Sequence, residues 1–397
     1  MRHLLCGALA LLALSSTSSA QLVFGHDDTS GGPNAWLVDV CTGTSEVLWS
    51  GFEAWGLAVD DTNGKIYIAD GSNFGVWDYS QQGTATLPTS IATFMDPTLT
   101  TTYVPLGLAW AAGKLYGYRT TNDEIFEIDT TTGICTVVYN ATPALSLGGL
   151  AYHPADGQFY ATNDSSTGSG YGLYSLDVFG VGGDNLVVAY PGGETDIDGL
   201  AVGNNRAYLI TDDVGDEIYT YDLGTATWIK GATNPIVGSS EIFSAGGWAP
   251  SLPLTSVPTT YCLSQVNSQA CTPVIASSGT PSVTSTSAFD ISVSMVLNNS
   301  FGILFYGYDR NEAPFGGGTL CILGTTIKRT PAVSSGGNPP PQDCSGTFSN
   351  DFNLVIQGGS DPNLVAGACV YAQYWSRDPG DASGSNLSDA VSFRIEP

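Results

Sequence analysis

Along most of this chain, short apolar runs alternate with polar turns, and one phrase keeps returning. Gly-Leu-Ala stands at Gly56, Gly107, Gly149 and Gly199, and Gly247-Trp248-Ala249 is a degenerate fifth copy; the spacings are 51, 42, 50 and 48 residues. Each of the first four copies is followed by a polar turn and a Tyr/Ile-rich run: KIYIAD, KLYGYR, QFYATN and RAYLIT. A third run closes on an acid at Asp78, Asp129, Asp177 or Asp222, and a fourth, such as CTVVYN or NLVVAY, completes the unit. Four short antiparallel strands per period of this length predict propeller blades.

The two ends of the repeat decide the count. Before Gly56, the runs LVFGH, AWLVD and EVLWS supply a second, third and fourth strand but no first, whereas the segment at 247–249 supplies a first strand and nothing after it. Joining them gives one hybrid blade. The expectation is therefore an all-β chain whose residues 21–250 form a five-bladed β-propeller, closed by pairing of the N-terminal strands with a strand near 247–249. Six blades is the alternative, and it requires about four strands that the text lacks. Closure removes the free sheet edges that invite aggregation.

Residues 251–260 are rich in proline and read as an extended spacer. Beyond them the repeat stops. FDISVSMV, GILFYG, TLCILG, FNLVIQ, VAGACVYAQYW and AVSFRI read as strands, so 261–397 is expected to be an antiparallel β-sandwich. At the other end, Arg2 and His3, an apolar run from Leu4 to Leu14 and Ser-Ser-Ala at 18–20 read as a signal peptide over 1–20. No later stretch is long and apolar enough for a membrane span. The expected product is secreted, extracellular or at the cell surface, with no membrane insertion.

Charge narrows the partners. From Gln21 onward there are 10 basic and 37 acidic residues, net −27, and 27 of the acids lie in 21–260 against 5 bases. Phosphate would be repelled at long range, which excludes nucleic acid as a partner and leaves cations, glycans and proteins. Part of the acidity serves turns: Asp39, Asp78, Asp129, Asp177 and Asp222 close third strands and can accept from the amides that follow. His153, in His-Pro-Ala-Asp-Gly, reads as a turn residue rather than a catalyst.

A second set of acids lies where second strands hand over to third: His26-Asp27-Asp28, Asp70, Asn122-Asp123, Asn163-Asp164 and Asp212-Asp213. In a propeller these turns share a face with the loops entering the innermost strands, which add Glu53, Asp196 and Asp198. Such a ring of oxygens suits a hard cation, and Asp27, Asp70, Asn163 and Asp212 are the candidate ligands for calcium. A solvated acidic rim is the competing reading. Zinc and copper are disfavoured because the face offers only His26. A hydrolytic version would pair Glu53 with Asp196 or Asp198 as acid and base. No GxSxG elbow, P-loop, HExxH or dinucleotide fingerprint supports an enzyme.

The strings Tyr261-Cys262…Asn267-Ser268…Cys271, SSGTPS, PFGGGTLC, SGGNPPPQDCSG and VYAQYWSRDPG resemble a C-terminal module that recurs on secreted proteins of planctomycete-like bacteria behind quite different N-terminal domains. The sequence departs from that module near its end, where Phe393–Pro397 lacks a cysteine and Cys369 is an addition. Residues 21–250 resemble, more loosely, secreted bacterial propellers that repeat LY-x-x-D-x-x-TG and GLA-x-x-P. Neither resemblance carries over a catalytic residue. They imply a shared appendage for attachment to a cell-surface component, sorting or stabilisation outside the cell.

Export permits disulfides. Seven cysteines follow Gln21, so at least one stays unpaired in a monomer. Short loops flanked by turn residues favour Cys262 with Cys271 and Cys321 with Cys344, and the blade positions of Cys41 and Cys135 argue against a bridge between those two. Tyr371, Tyr374 and Trp375 read as core packing in preference to a sugar-stacking platform. The function expected is that of a non-enzymatic binding or scaffold protein: an acidic propeller face for a cation, glycan or protein ligand, and a sandwich that tethers or sorts it. The alternative is a calcium-assisted propeller hydrolase, glycosidase- or lactonase-like.

Overall fold

The computed structural model describes residues 21–26, 34–119, 123–141, 145–166, 168–180, 183–211, 217–232, 243–323 and 327–397. The expected signal peptide lies outside these. Up to Trp248 the described residues form five antiparallel sheets of four strands. The sheet containing Gly56–Asp60, Lys65–Asp70, Asn73–Asp78 and Thr89–Thr93 sets the pattern, and three more begin at Gly107–Ala111, Leu147–His153 and Gly199–Gly203. In the fifth sheet Phe243–Trp248 pairs with Gln21–His26, Leu22 opposite Trp248 and Val23 opposite Gly247, and Asn34–Asp39 and Ser45–Ser50 follow outward.

The Gly-Leu-Ala phrase has a steric cause. A Cβ on Gly56 would sit 3.1 Å from the backbone of Gly107, one on Gly107 2.9 Å from Gly148 O, one on Gly149 2.8 Å from Leu200 N, and one on Gly247 2.4 Å from a Leu57 methyl. The first strands thus approach one another in succession around a common axis, too closely for side chains at these points. Leu57, Leu108, Leu150, Ala201 and Gly246 share a narrow axial cavity of about 60 Å³. Up to Trp248 the chain is a β-propeller.

Turn acids behave as their position demands. Asp78 accepts from Ser80 N at 2.9 Å, Asp129 from Thr131 N and Thr132 N at 2.8 and 2.9 Å, and Asp222 from Thr225 N at 2.8 Å. His153 is buried in its hairpin with Nδ1 2.9 Å from Asp156 Oδ2, a structural place.

The C-terminal part packs a six-stranded sheet, centred on Cys369–Arg377 and Ser385–Arg394, against the three strands Val274–Ser278, Asp290–Val296 and Gly346–Asp351. Phe289, Ile291, Phe348, Tyr374 and Phe393 fill the space between them. Tyr374 is fully buried and donates to Ile291 O at 2.8 Å, as core packing requires. One expected strand is a helix. Phe352–Gln357 is capped by Asp351, which accepts from Asn353 N, and it buries Phe352 and Ile356 four residues apart. With so short a run, the N-cap outweighs β-branched content.

Two disulfide expectations fail. The bridges are Cys262–Cys321 and Cys271–Cys344, with Cα separations of 6.2 and 6.4 Å. Proximity in the text was the wrong guide, because the hairpin Arg310–Phe315/Gly318–Ile322 folds back and Tyr261 donates to Cys321 O at 2.7 Å, bringing Cys262 to its partner. A third bridge, Cys41–Cys369, joins propeller to sandwich across 328 residues, and Cys135 is left as a buried thiol. The proline-rich segment is docked: Leu252 is fully buried against the propeller and Ser251 Oγ donates to Asp61 at 2.7 Å.

Candidate functional site

First strands enter, and second strands end, at one end of the propeller. Among the described residues, that end gathers Asp164, Asp196 and Asp198, one carboxylate oxygen of each within 4.8 Å of the others. Asp164 follows Gln158–Asn163, the second strand of the sheet that begins at Leu147–His153; Asp196 and Asp198 belong to the loop entering Gly199–Gly203, the first strand of the next. Asp164 Oδ1 accepts from Tyr190 Oη at 2.8 Å and from Ile197 N at 3.0 Å, which orients its other oxygen. Burial, followed by the charge of Asp164, pushes the Tyr190 phenol far up, so it is a neutral donor at any ordinary pH. The remaining oxygen of Asp164 and Oδ1 of Asp198 lie 2.8 and 2.9 Å from where a Cβ on Gly148 would stand. Glycine at 148 keeps that space open between two carboxylates.

The geometry suits a hard cation. Calcium binds oxygens at about 2.3–2.6 Å, so two ligands of one ion stand at most ~5 Å apart; the 4.8 Å spacing meets that limit. Three carboxylates supply part of a six- to eight-oxygen shell, and solvent or a ligand's hydroxyls would complete it.

The other expected residues are distributed as follows. Glu53 accepts from Trp55 Nε1 at 2.9 Å. Asp70, ending Lys65–Asp70, has its carboxyl raised above the usual range by burial and then by repulsion from Glu53. Those two acids form a second group, separate from Asp164, Asp196 and Asp198. Asp123 adopts a left-handed backbone, φ 51°, and accepts from Tyr118 Oη at 3.2 Å. Asn163 is fully buried; its oxygen accepts from Ser146 N at 2.9 Å and its nitrogen donates to the carbonyls of Ser165 and Gly170. It holds the loop that presents Asp164 rather than facing the ring. His26 ends its strand opposite Phe243, and Asp27, Asp28, Asn122, Asp212 and Asp213 lie outside the described residues. Reading the sequence missed Tyr190 and Gly148. The doubled glycine of Leu147-Gly-Gly-Leu150 was the available signal for the second.

No protein-family model and no curated protein sequence matches the chain. Similar solved structures include a chain of the nidogen/laminin complex, at 13% identity and TM-score 0.40, covering 58% of this chain and 98% of that one. A gluconolactonase from Xanthomonas campestris shares 14% identity at TM-score 0.34, covering 54% of this chain and 72% of its own. TolB from Acinetobacter baumannii shares 15% at TM-score 0.35, covering 70% and 62%. At these scores none bears on function, and the propeller assignment rests on the sheets themselves. Among the described residues no helix is long and apolar enough to cross a membrane.

Proposed function

We propose that this is a secreted or cell-surface binding protein: a five-bladed propeller closed through the strands at Val23 and Gly247, presenting a calcium-organised acidic face to an extracellular glycan or protein, on a sandwich that attaches it to a cell-surface component. The observation carrying this reading is the convergence of Asp164, Asp196 and Asp198 from two neighbouring sheets within 4.8 Å. Three carboxylates so close repel one another unless protons or a cation intervene, and a bound calcium ion would turn that repulsion into a rigid platform for hydroxyl or carboxylate ligands. Turn chemistry explains the Asp78, Asp129 and Asp222 carboxylates; it does not explain these.

A calcium titration followed by melting temperature tests the reading. Millimolar calcium is expected to raise the melting temperature through ligand linkage, by ~3–4 kcal/mol of stabilisation at a hundred- to thousandfold excess over the dissociation constant, and Asp198→Asn is expected to abolish the response. An unchanged melting curve with calcium sinks the cation. The hydrolytic alternative has one observation in its favour, the raised carboxyl of Asp70 beside Glu53. It requires turnover of a lactone or aryl glycoside that Asp70→Asn abolishes; binding without turnover decides against it.

A further inference from the structure

A cavity of about 120 Å³ lies between the propeller and the sandwich. In a chain with only 11 basic residues against 37 acidic ones, Arg206, Lys230, Arg310 and Arg394 all line it. Three of the four have carboxylate partners: Arg206 with Asp309 and, at 3.7 Å, Asp222; Lys230 with Glu217 and, at 3.8 Å, Glu312; Arg394 with Asp39. Arg310 differs. It is 7% exposed, and it donates Nη2 to Cys41 O at 3.2 Å and to Ser392 Oγ at 3.4 Å. It lies over the rings of Tyr261 and Tyr371 at 4.4 and 5.5 Å. Its Nε–H has no partner, and among the described residues no carboxylate is within ion-pair distance of it.

A second orphan donor lines the same cavity. Tyr208 is 2% exposed, its ring stacks on Trp248 at 5.4 Å, and with the Arg206 guanidinium beside its oxygen its O–H proton has no acceptor. Burial pushes that phenol up to about 12, with the Arg206 guanidinium pulling the other way, and burial also raises Tyr261 and Tyr371. No phenolate is therefore on hand to neutralise Arg310. A buried guanidinium with an unmade hydrogen bond and no carboxylate in contact is costly, and an unmade hydrogen bond from a buried hydroxyl adds to the cost. Water can accept from both donors but brings no negative charge into contact with the Arg310 guanidinium.

We infer that this cavity is a binding site for a small monovalent inorganic anion, of which chloride is the natural occupant, held by Arg310 Nε–H and Tyr208 Oη–H at the joint between the two domains. The volume admits such an ion with a few waters and leaves little room for an organic acid. The site lies at the opposite end of the propeller from the three carboxylates, with Asn204 in the turn that leaves the strand Asp198 enters, Arg206 opening the strand after it and Cys41 in the turn that leaves Asn34–Asp39, so it is independent of any calcium there. Its consequence is that the domain joint is salt-specific. The anion becomes part of the interface.

The test compares the full chain in sodium chloride with sodium gluconate at equal ionic strength and with calcium chelated. A saturable rise in melting temperature with chloride alone is expected, together with an anomalous peak in the cavity from crystals soaked in bromide. Tyr208→Phe keeps the ring and removes one donor; it is expected to weaken chloride about tenfold, the worth of one hydrogen bond to a charged group. Arg310→Met removes the charge while keeping the stem over both tyrosines, and is expected to abolish the chloride response. Equal melting in the two salts, a cavity holding only water after the bromide soak, or a chloride response unchanged in Tyr208→Phe each overturns the site.

Discussion

Burial decides the chemistry of Cys135, the described cysteine left outside the bridges. The side chain is fully enclosed beside Phe94, Phe126 and Ile128, and burial pushes its thiol up to about 12. An ordinary thiol titrates near 8.5, and it is the thiolate that attacks electrophiles. The sign follows directly: raising the pH to about 8 generates thiolate in the unfolded chain but not in the folded one. Native protein at that pH is expected to resist alkylation by iodoacetamide at least ~100-fold more than protein in guanidinium, read as mass added per chain. Fast labelling of the folded chain would mean that the site opens to solvent. The same scale explains why acids at third-strand ends were readable: each serves its own turn, so a few neighbouring residues suffice to identify it. Asp164 is different, because Tyr190 and Ile197, which orient it, lie 26 and 33 residues further on.

At the scale of the strand, the recurrent glycine is a packing requirement imposed by neighbouring sheets. Gly149→Ala would bring a methyl group to 2.7 Å from Asp198 O and 2.8 Å from Leu200 N, backbone atoms that cannot move aside without shifting the next first strand. The expected loss is about 2–3 kcal/mol by chemical denaturation. Gly183→Ala, an exposed position where a Cβ meets nothing within 4 Å, is the control and is expected to stay within about 0.5 kcal/mol of the parent. Equal stability of the two variants would remove the steric account of the repeat. The repeat was legible because the same constraint acts on each first strand and leaves the same letters. Helix Phe352–Gln357 was not: six residues give a hydrophobic period too little length, and both β and helical readings fit Phe, Leu, Val and Ile until Asp351 is seen capping Asn353.

The whole molecule is held by contacts that leave almost no trace in the text. Nothing in the neighbourhood of Cys41, Asp39, Arg310 or Arg394 marks them as partners, since the pairs are separated by more than 260 residues and depend on how two independently patterned domains dock. Reading blade by blade placed Cys41 correctly yet could not find Cys369, because that partner belongs to another domain. Docking changes what the sandwich is. Asp39 is fully buried, and beyond its turn amide at Cys41 N its carboxylate depends on Arg394, itself 5% exposed. Arg394→Ala would strand a buried negative charge, and the expected cost is about 3–5 kcal/mol. Asp39→Asn combined with Arg394→Met, which removes both charges and keeps the apolar stem, is expected to recover much of that loss in a double-mutant cycle. If Arg394→Ala instead cost under ~1 kcal/mol, the two domains would be beads joined by a spacer and the propeller could be studied alone. With the cost as expected, deleting 261–397 unfolds or loosens the propeller itself, so loss of surface retention in a truncated protein cannot be assigned to a missing anchor. The cleaner variant for the attachment role leaves the Asp39–Arg394 joint intact and alters the outward face of the sandwich, where Phe315 and Trp375 line an apolar cavity of about 430 Å³.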